Sequence, residues 1–553
     1  MINKLRTLFQ NKRDLYAFLL ILTGIVITSD RIGADYAGLM AFGSYFALVM
    51  LLIFITGRLK VAFILSSSFF IILQLLNQLK THYYKERLFF PDIKVALDLE
   101  NAGTLLHYYG ALLALLGLVL FLLINYLLFR KEVKYSWLYR FFALVVSLVL
   151  AYGVYWVSNQ KAYLEDWQHH LPKGRGTVTN LLLSRHEMVF SAPVYKESSR
   201  YFLQKPNPPI VNSAQAPVKA DVVLFLQEST LNPDFYDLGD YRVPALSMFD
   251  KSNAWVKAAS LLRVQTFGGG TWLSEFSVLT GLNSEDFSTN KSSVFYTVAP
   301  HVTHSLFKEL KQQGYFTVVL SPMSRQNYNA GAAYDHFGMD LFVQPQDFGY
   351  PAEKGSNLWK ISTEEMLNYA QEVLKTYTDK PIFLFVLSMA EHGPYEDVGD
   401  PLALSKVTKN DRFIDQFNDY YQRIKLGSDA VEHFSETMLA RDKPTLFVYF
   451  GDHHPNVGWK GGHRTVLDAT DYLTQFVLRD NFGKPIDGIG ESTDISFLGG
   501  IILEQLNLPI SPFYQANIKM RHLCQGKLDE CKDTRLVNSY KNYIYQDLQI
   551  VGP

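Results

Sequence analysis

The stretch DVVLFLQES, residues 221–229, decides the fold of the larger part of the chain. Its apolar residues run without a break from Val222 to Leu226 and end in polar residues. Such a run is typical of a strand buried on both faces of a parallel sheet. Similar runs begin at Phe316, Pro381 and Thr445, and helical stretches separate them at 303–313, 362–377 and 411–440. This alternation predicts an α/β domain with a mainly parallel central sheet.

The N-terminal part of the chain predicts an α-helical transmembrane bundle. A helix of about 20 apolar residues crosses a bilayer. Five stretches are candidates: Leu15–Ser29, Tyr36–Thr56, Val61–Leu79, Tyr108–Phe129 and Phe141–Val157. Lys and Arg concentrate before the first stretch and in the second-to-third and fourth-to-fifth connections. Basic loops stay in the cytoplasm, so five spans place the chain from residue 159 onward outside it; loss of the short first span would invert this orientation.

We therefore expect four segments. These are a five-helix transmembrane domain (1–158), juxtamembrane helices and a linker (159–218), an extracytoplasmic α/β domain (219–515) and a C-terminal extension (516–553). The net charge of −1 argues against a strongly basic nucleic-acid-binding protein. Cys524 and Cys531 form either one local disulfide or two free thiols, and a disulfide would favour an oxidising, periplasmic location.

Polar residues follow two of the buried runs at the points where the strands end. Glu228 follows the first run, and Asp452 and His453 follow the fourth. In parallel sheets ligands bind beyond the carboxyl ends of the strands. Carboxylates and imidazoles are good ligands for a divalent metal, so these residues are candidate metal ligands.

A glycine-rich turn supplies a candidate nucleophile. Gly268, Gly269 and Gly270 precede Thr271 and a helical stretch, and glycines let the backbone approach a bound group. Metal coordination can activate a threonine hydroxyl, although Thr271 could instead be an ordinary helix N-cap. His392, in the sequence EHGP, and His463, in GGHR, are candidates for contacting a phosphate oxygen or moving a proton.

The order of Glu228, Thr271, His392-Gly-Pro and Asp452-His453 resembles the alkaline phosphatase and sulfatase superfamily. With an N-terminal membrane bundle, the chain is similar to lipoteichoic acid synthases and to phosphoglycerol and phosphoethanolamine transferases. The resemblance implies a sulfatase-like α/β domain and one divalent ion, Mn²⁺ or Zn²⁺. It implies Glu228, Thr271, Asp452 and His453 as metal ligands, Thr271 as nucleophile, and His392 and His463 as further catalytic residues.

The segment before His336-Phe-Gly departs from the lipoteichoic acid synthase pattern. Tyr328 stands where that family has a Trp, and Ala330 stands where it has a phosphate-binding Arg. An Arg that binds phosphate through two hydrogen bonds is not replaced conservatively by Ala. Arg325, Tyr328 and Trp272 are therefore the candidate substrate contacts, and the identity of the headgroup stays open.

The resemblance implies a transferase, and the five predicted spans together with the possible disulfide predict that it lies in the inner (plasma) membrane with its catalytic domain in the periplasm. Its partners would be the lipid bilayer, a phospholipid donor and an extracytoplasmic glycan or glycolipid acceptor, with no nucleic acid. The group would pass through a phospho-threonine intermediate. Two alternatives stay open: a phosphodiesterase that passes the same intermediate to water, and a non-catalytic membrane scaffold.

Overall fold

The structure is a computed structural model, in which the chain forms two compact units. It describes residues 35–84, 87–93, 132–171, 175–188, 190–208, 216–238, 243–351, 361–395, 412–457 and 472–552, with isolated positions at 18, 19, 23, 116, 117 and 120. One unit comprises Met1–Val189 with Ser288–Asn290, and the other comprises Phe190–Phe287 with Lys291–Pro553.

The first unit is helical in its described residues. Its helices are α1 (Tyr36–Thr56), α2 (Leu59–Tyr84), α3 (Trp137–Ser158), α4 (Lys161–His169) and α5 (Thr177–Ser184). Among the described residues, α1, α2 and α3 are long and apolar enough to cross a membrane. They match three of the predicted spans. The predicted spans Leu15–Ser29 and Tyr108–Phe129 lie, apart from isolated positions, outside the described residues.

Helix α1 packs closely against α2 and α3. A Cβ atom added to Gly43 would lie 2.5 Å from Val154, so the missing side chain lets α1 and α3 approach each other. The Tyr45 hydroxyl on α1 forms a 2.8 Å hydrogen bond with Ser67 on α2. The Ser147 hydroxyl on α3 donates a 2.8 Å bond to the Ala47 carbonyl. Small residues and buried polar contacts thus join these helices, as in helix packing within membranes.

The second unit is built on an eight-stranded sheet in the order β4-β3-β5-β1-β6-β7-β2-β8. Its strands are β1 (Asp221–Gln227), β2 (Val256–Arg263), β3 (Phe316–Leu320), β4 (Leu341–Val343), β5 (Ile382–Leu387), β6 (Thr445–Gly451), β7 (Leu473–Asp480) and β8 (Ser492–Asp494). Strands β4, β3, β5, β1 and β6 are parallel neighbours, whereas β7 pairs antiparallel with both β6 and β2. The predicted, mainly parallel sheet is confirmed. The four apolar runs are β1, β3, β5 and β6.

Helices surround the sheet in the same unit. They are α6 (Arg200–Leu203), α7 (Thr271–Thr280), α8 (Val294–Thr297), α9 (Leu306–Gln312), α10 (Ala330–Phe337), α11 (Thr363–Thr376), α12 (Arg412–Leu439), α13 (Leu498–Leu506), α14 (Pro512–Leu523) and α15 (Thr534–Asn542). Between α14 and α15, Cys524 and Cys531 form a disulfide, as the first of the two sequence alternatives proposed.

Each face of the sheet has its own hydrophobic core. On β1, Leu224 points into one core and Phe225 into the other, and every residue of the strand is buried. Because successive side chains of a strand point to opposite faces, a strand between two cores is apolar on both faces through its centre, as Val222–Leu226 is in β1. This arrangement explains the unbroken apolar runs of the central strands.

The strand register places the ends of β5, β1 and β6 side by side. Gln227, the last residue of β1, is paired with Gly451, the last residue of β6, and Leu226 is paired with Leu387, the last residue of β5. The segments that follow these strands therefore leave the sheet at one edge. Those segments contain Glu228, His392 and Asp452.

We expect Leu224→Ala to lower the free energy of unfolding by about 2–5 kcal/mol, because it leaves a cavity in a close-packed core. Denaturant unfolding of the purified protein in detergent, followed by tryptophan fluorescence, would measure the change. Leu426→Ala is the matched control, since this α12 leucine is 70% exposed and should change stability little. Equal effects of the two substitutions would contradict the two-core arrangement.

Candidate metal centre and active site

Glu228 and Asp452 are neighbours at the carboxyl edge of the sheet. Both side chains are completely buried. The backbone N–H of Ser229 donates a 2.8 Å hydrogen bond to Oδ1 of Asp452, which ties the end of β1 to the end of β6. Ser229 has a φ of 52°, an uncommon value for a residue with a side chain. The chain thus turns sharply after Glu228 and holds the two carboxylates together.

Thr271 reaches the same edge from the glycine-rich turn. Gly268, Gly269 and Gly270 have φ values of 65°, 151° and 81°, which glycine adopts without steric cost, and α7 begins directly after them at Thr271. The Thr271 hydroxyl donates a 3.1 Å hydrogen bond to Oε2 of Glu228. One turn later, the Ser274 hydroxyl donates a 2.6 Å bond to the backbone carbonyl of Asp452. The first turn of α7 is therefore bonded at its start to the carboxylate of Glu228 and at its end to the backbone of Asp452.

His453 completes a group of three potential metal ligands. Its Nε2 lies 3.0 Å from Oε1 of Glu228 and 3.3 Å from Oδ2 of Asp452. Its Nδ1 lies 2.9 Å from the carbonyl oxygen of His454, which can only accept a hydrogen bond. Nδ1 therefore has the proton in the neutral ring, and Nε2 is left to bind a metal. Metal-binding histidines commonly have such an orienting contact.

The three side chains fit a divalent cation. One potential ligand atom from each residue lies within 4.8 Å of the others. Among the described residues, Oδ2 of Asp452 and Nε2 of His453 are buried and have no hydrogen-bond partner of acceptable geometry. A buried polar atom without a partner is costly, and a metal ion would satisfy both atoms. Two carboxylates and one imidazole suit Mn²⁺ or Zn²⁺, and the arrangement alone does not distinguish the two ions.

The charges of this group also favour a cation. Burial and the nearby charge of Glu228 raise the pKa of Asp452 above its ordinary value. Burial alone would lower the pKa of His453, but the charges of Asp452 and Glu228 outweigh it and raise that pKa to about 9. Both shifts have the same physical cause, which is negative charge collected in a region of low dielectric. A bound divalent ion would neutralise that charge.

The loop containing His392 follows β5 and is held from two sides. Glu391 is buried and accepts hydrogen bonds from Gln227, Thr363 and Ser388. From α12, Nη1 of Arg423 donates a 2.7 Å bond to the His392 carbonyl. Nδ1 of His392 contacts the carbonyl oxygen of Gly393, which leaves Nε2 as the ring nitrogen that can accept a proton. Burial lowers the pKa of His392, so the neutral ring is favoured near neutral pH.

The candidate substrate contacts lie in different surroundings. The half-buried Trp272 directly follows Thr271, and its indole N–H donates a 2.9 Å bond to the Ser292 carbonyl. Its ring centre is 5.4 Å from that of Tyr328. Arg325 is exposed, and its guanidinium pairs with Asp335 at 2.6 Å. That pairing competes with binding of a phosphate by Arg325. His463 lies outside the described residues.

Sequence reasoning did not single out Glu275, Glu391 or Arg423. Glu275 stands four residues after Thr271, and this spacing places both side chains on one face of a helix. That signal was present in the sequence. Arg423 lies far along the chain on α12, and no local pattern indicates that it would contact the His392 loop.

Comparison with known proteins assigns the family. Residues 220–495 match the family model named Sulfatase. The chain is 37% identical over 529 residues to an uncharacterized protein of Haemophilus influenzae, covering 92% of this chain and 95% of that one. It is 26% identical over 199 residues to the lipoteichoic acid synthase-like protein YvgJ of Bacillus subtilis, covering 34% of this chain and 30% of that protein.

Residues 220–495 of this chain thus form a domain of the sulfatase family. A solved structure with a similar fold is the integral membrane protein lipooligosaccharide phosphoethanolamine transferase A from Neisseria meningitidis. It is 14% identical with a TM-score of 0.52, covering 87% of this chain and 97% of that structure. This likeness supports the arrangement of apolar N-terminal helices followed by a sulfatase-like α/β domain.

We expect Asp452→Asn to weaken binding of Mn²⁺ or Zn²⁺ by more than about tenfold, because the amide lacks the negative charge of the carboxylate. Calorimetric titration of metal-free protein with each ion would measure the affinity. Glu391→Gln is the matched control: Glu391 is equally buried near the same edge, but hydrogen bonds already satisfy its oxygens. Unchanged affinity in Asp452→Asn would rule out this ligand set.

Proposed function

We propose that this protein is a metal-dependent transferase of phospholipid headgroups. It moves phosphoglycerol or phosphoethanolamine through a phospho-threonine intermediate to an extracytoplasmic glycan or glycolipid. The observation that supports this proposal most directly is the position of the Thr271 hydroxyl. It bonds to Glu228 at the start of a helix, within the buried group that includes Asp452 and His453.

In the first step, Oγ1 of Thr271 attacks the phosphorus of the donor phosphodiester. A bond between Oγ1 and phosphorus forms, the bond from phosphorus to the diacylglycerol oxygen breaks, and the proton lost from the Thr271 hydroxyl passes to that oxygen, so diacylglycerol leaves as an alcohol. Glu228 orients the Thr271 hydroxyl through its 3.1 Å hydrogen bond. A divalent ion held by Glu228, Asp452 and His453 would supply the Lewis acidity that lowers the pKa of this hydroxyl. Backbone N–H groups at the start of α7 favour the phosphate anion.

In the second step, the oxygen of an acceptor hydroxyl attacks the phosphorus of the phospho-threonine, the bond from phosphorus to Oγ1 breaks, and the proton that the acceptor loses is returned to Oγ1, which restores the Thr271 hydroxyl. His392 is the described candidate for the base, because its Nε2 can accept a proton and its ring is favoured in the neutral form. The bonds from Arg423 and around Glu391 hold the loop in place. His463 stays a sequence-based candidate for a second base or a phosphate contact.

The donor and acceptor classes are inferred from the relatives. One is named lipoteichoic acid synthase-like, and the similar structure is named a lipooligosaccharide phosphoethanolamine transferase. A lipid donor also suits a chain in which three of the described helices are able to cross a membrane. We propose that the catalytic unit is periplasmic, at the inner membrane, on the basis of the basic residues in the predicted cytoplasmic loops.

We expect Thr271→Ala to abolish headgroup transfer, because the alanine has no oxygen to form the intermediate. Thr271→Ser should retain part of the activity, and Thr280→Ala, at the far end of α7, should retain all of it. The measurement is release of fluorescent diacylglycerol from labelled phosphatidylglycerol and phosphatidylethanolamine in mixed micelles. Full activity in Thr271→Ala would eliminate the proposed intermediate.

Mass spectrometry of the wild-type protein after exposure to each lipid should find an adduct on the peptide containing Thr271. Its mass would distinguish glycerol phosphate from phosphoethanolamine. Addition of candidate glycans should discharge the adduct onto the glycan. Discharge only to water, with every glycan tested, would favour the phosphodiesterase.

A further inference from the structure

Glu275 is a buried carboxyl group close to the proposed nucleophile that the mechanism above does not use. It lies on α7, one helical turn after Thr271, and none of its surface is exposed. It is not among the three grouped ligands Glu228, Asp452 and His453. Buried carboxyl groups are uncommon unless their oxygens are bonded, so the partners of Glu275 indicate its role.

Those partners are two tyrosines from the segment where the sequence departs from the lipoteichoic acid synthase pattern. The Tyr328 hydroxyl donates a 2.6 Å hydrogen bond to Oε1 of Glu275. The Tyr334 hydroxyl, on α10, donates to Oε2. Each oxygen therefore accepts one bond from a different part of the segment. Burial raises the pKa of Glu275 to about 7, although the two hydroxyl bonds act to lower it.

Tyr328 adopts a backbone conformation that needs support from its surroundings. Its φ of 38° and ψ of 33° are uncommon for a bulky residue, and the next residue, Asn329, has a φ of 64°. Such a conformation persists only where neighbouring contacts enforce it. The contacts are the bond to Glu275, the rings of Trp272 and Phe295, and a 2.8 Å bond from the Asn329 side chain to the Phe295 carbonyl.

The two bonds join the helix of the nucleophile to the segment that contains a candidate substrate contact. Thr271, Trp272 and Glu275 are on one helix. Tyr328 packs on Trp272 through its ring and bonds to Glu275 through its hydroxyl. Helix α7 therefore sets the distance between the nucleophile and the Tyr328 ring. Glu275 also holds the Tyr328 hydroxyl, which ring packing alone would leave free to move.

We propose that Glu275 is a positioning residue that sets where the headgroup lies relative to Thr271, by holding Tyr328 against α7. This inference rests on the proposed function, because it assigns a role within the same site. Glu275 does not contact the reacting atoms. It acts through Tyr328, which is one of the candidate substrate contacts.

Steady-state transfer by full-length, metal-loaded Glu275→Ala, Glu275→Gln and Tyr328→Phe would test this role. We expect Glu275→Ala to raise KM for the lipid donor about tenfold with a smaller change in kcat, because it removes a hydrogen bond that orders a substrate contact. Tyr328→Phe should shift KM in the same direction. Glu275→Gln keeps one acceptor oxygen and should restore KM in part. The variant that combines Glu275→Ala with Tyr328→Phe should have the same KM as Glu275→Ala alone, since the two substitutions remove the same hydrogen bond.

Glu309→Gln is the control for loss of a buried glutamate, since Glu309 is 1% exposed and lies on α9. It should leave KM and kcat unchanged. Metal content should equal that of the wild type in every variant. A fall in kcat at constant KM, a loss of metal, or independent multiplying effects of the two single variants would overturn the inference. If Glu275→Ala fails to fold, Glu275→Gln and Tyr328→Phe still give the comparison.

A binding measurement separates this inference from the proposed function. Calorimetric titration of metal-loaded protein with glycerol phosphate and with phosphoethanolamine needs no turnover. Weaker binding of either probe in Glu275→Ala and Tyr328→Phe would support the inference even if the wild type transfers no headgroup, a result that would count against the proposed function alone. Unchanged binding of both probes, in a wild type that does transfer headgroups, would overturn the inference alone.

Discussion

The alignment of β1 with β6 is the constraint on which the site depends. Their parallel register pairs Gln227 with Gly451, so the next residues, Glu228 and Asp452, leave the sheet together. Both strands lie between two hydrophobic cores, and a shift of one residue would exchange the side chains facing each core. The packing of the cores therefore fixes the relative position of the two carboxylates, and the sheet thereby determines the geometry of the candidate metal centre.

This geometry collects negative charge where solvent cannot screen it. Buried carboxylates are stable only when they are protonated, hydrogen-bonded or paired with a cation. His453 lies between the two carboxylates, and Ser229 and Thr271 donate hydrogen bonds to them. Among the described residues, however, Oδ2 of Asp452 has no hydrogen-bond partner. The arrangement is thus best explained as one that a divalent ion completes.

Residues around the site hold its functional side chains in position. Arg423 and the partners of Glu391 hold the His392 loop, and Glu275 holds Tyr328 against the helix that begins at Thr271. Functional side chains need such support, because small displacements are costly in catalysis. In this chain the support comes from α7 and α12, which pack on the sheet that also positions the ligands.

The sequence by itself determined the central strands, the three described apolar helices and the placement of Glu228, Asp452 and His453 at strand ends. These features depend on local pattern, because a strand between two cores is apolar on both faces through its centre and its polar successors lie at the sheet edge. Strands β2 and β7 were not predicted. In β2, half-buried positions alternate with buried ones, and in β7 (LTQFVLRD) polar residues interrupt the apolar ones although every position is buried. Only the tertiary structure decided that Arg325 pairs with Asp335 and that Tyr328 bonds to Glu275. Tyr328 and Glu275 lie 53 residues apart and Arg325 and Asp335 lie 10 apart, and at both separations tertiary packing selects among partners that a local pattern leaves equivalent.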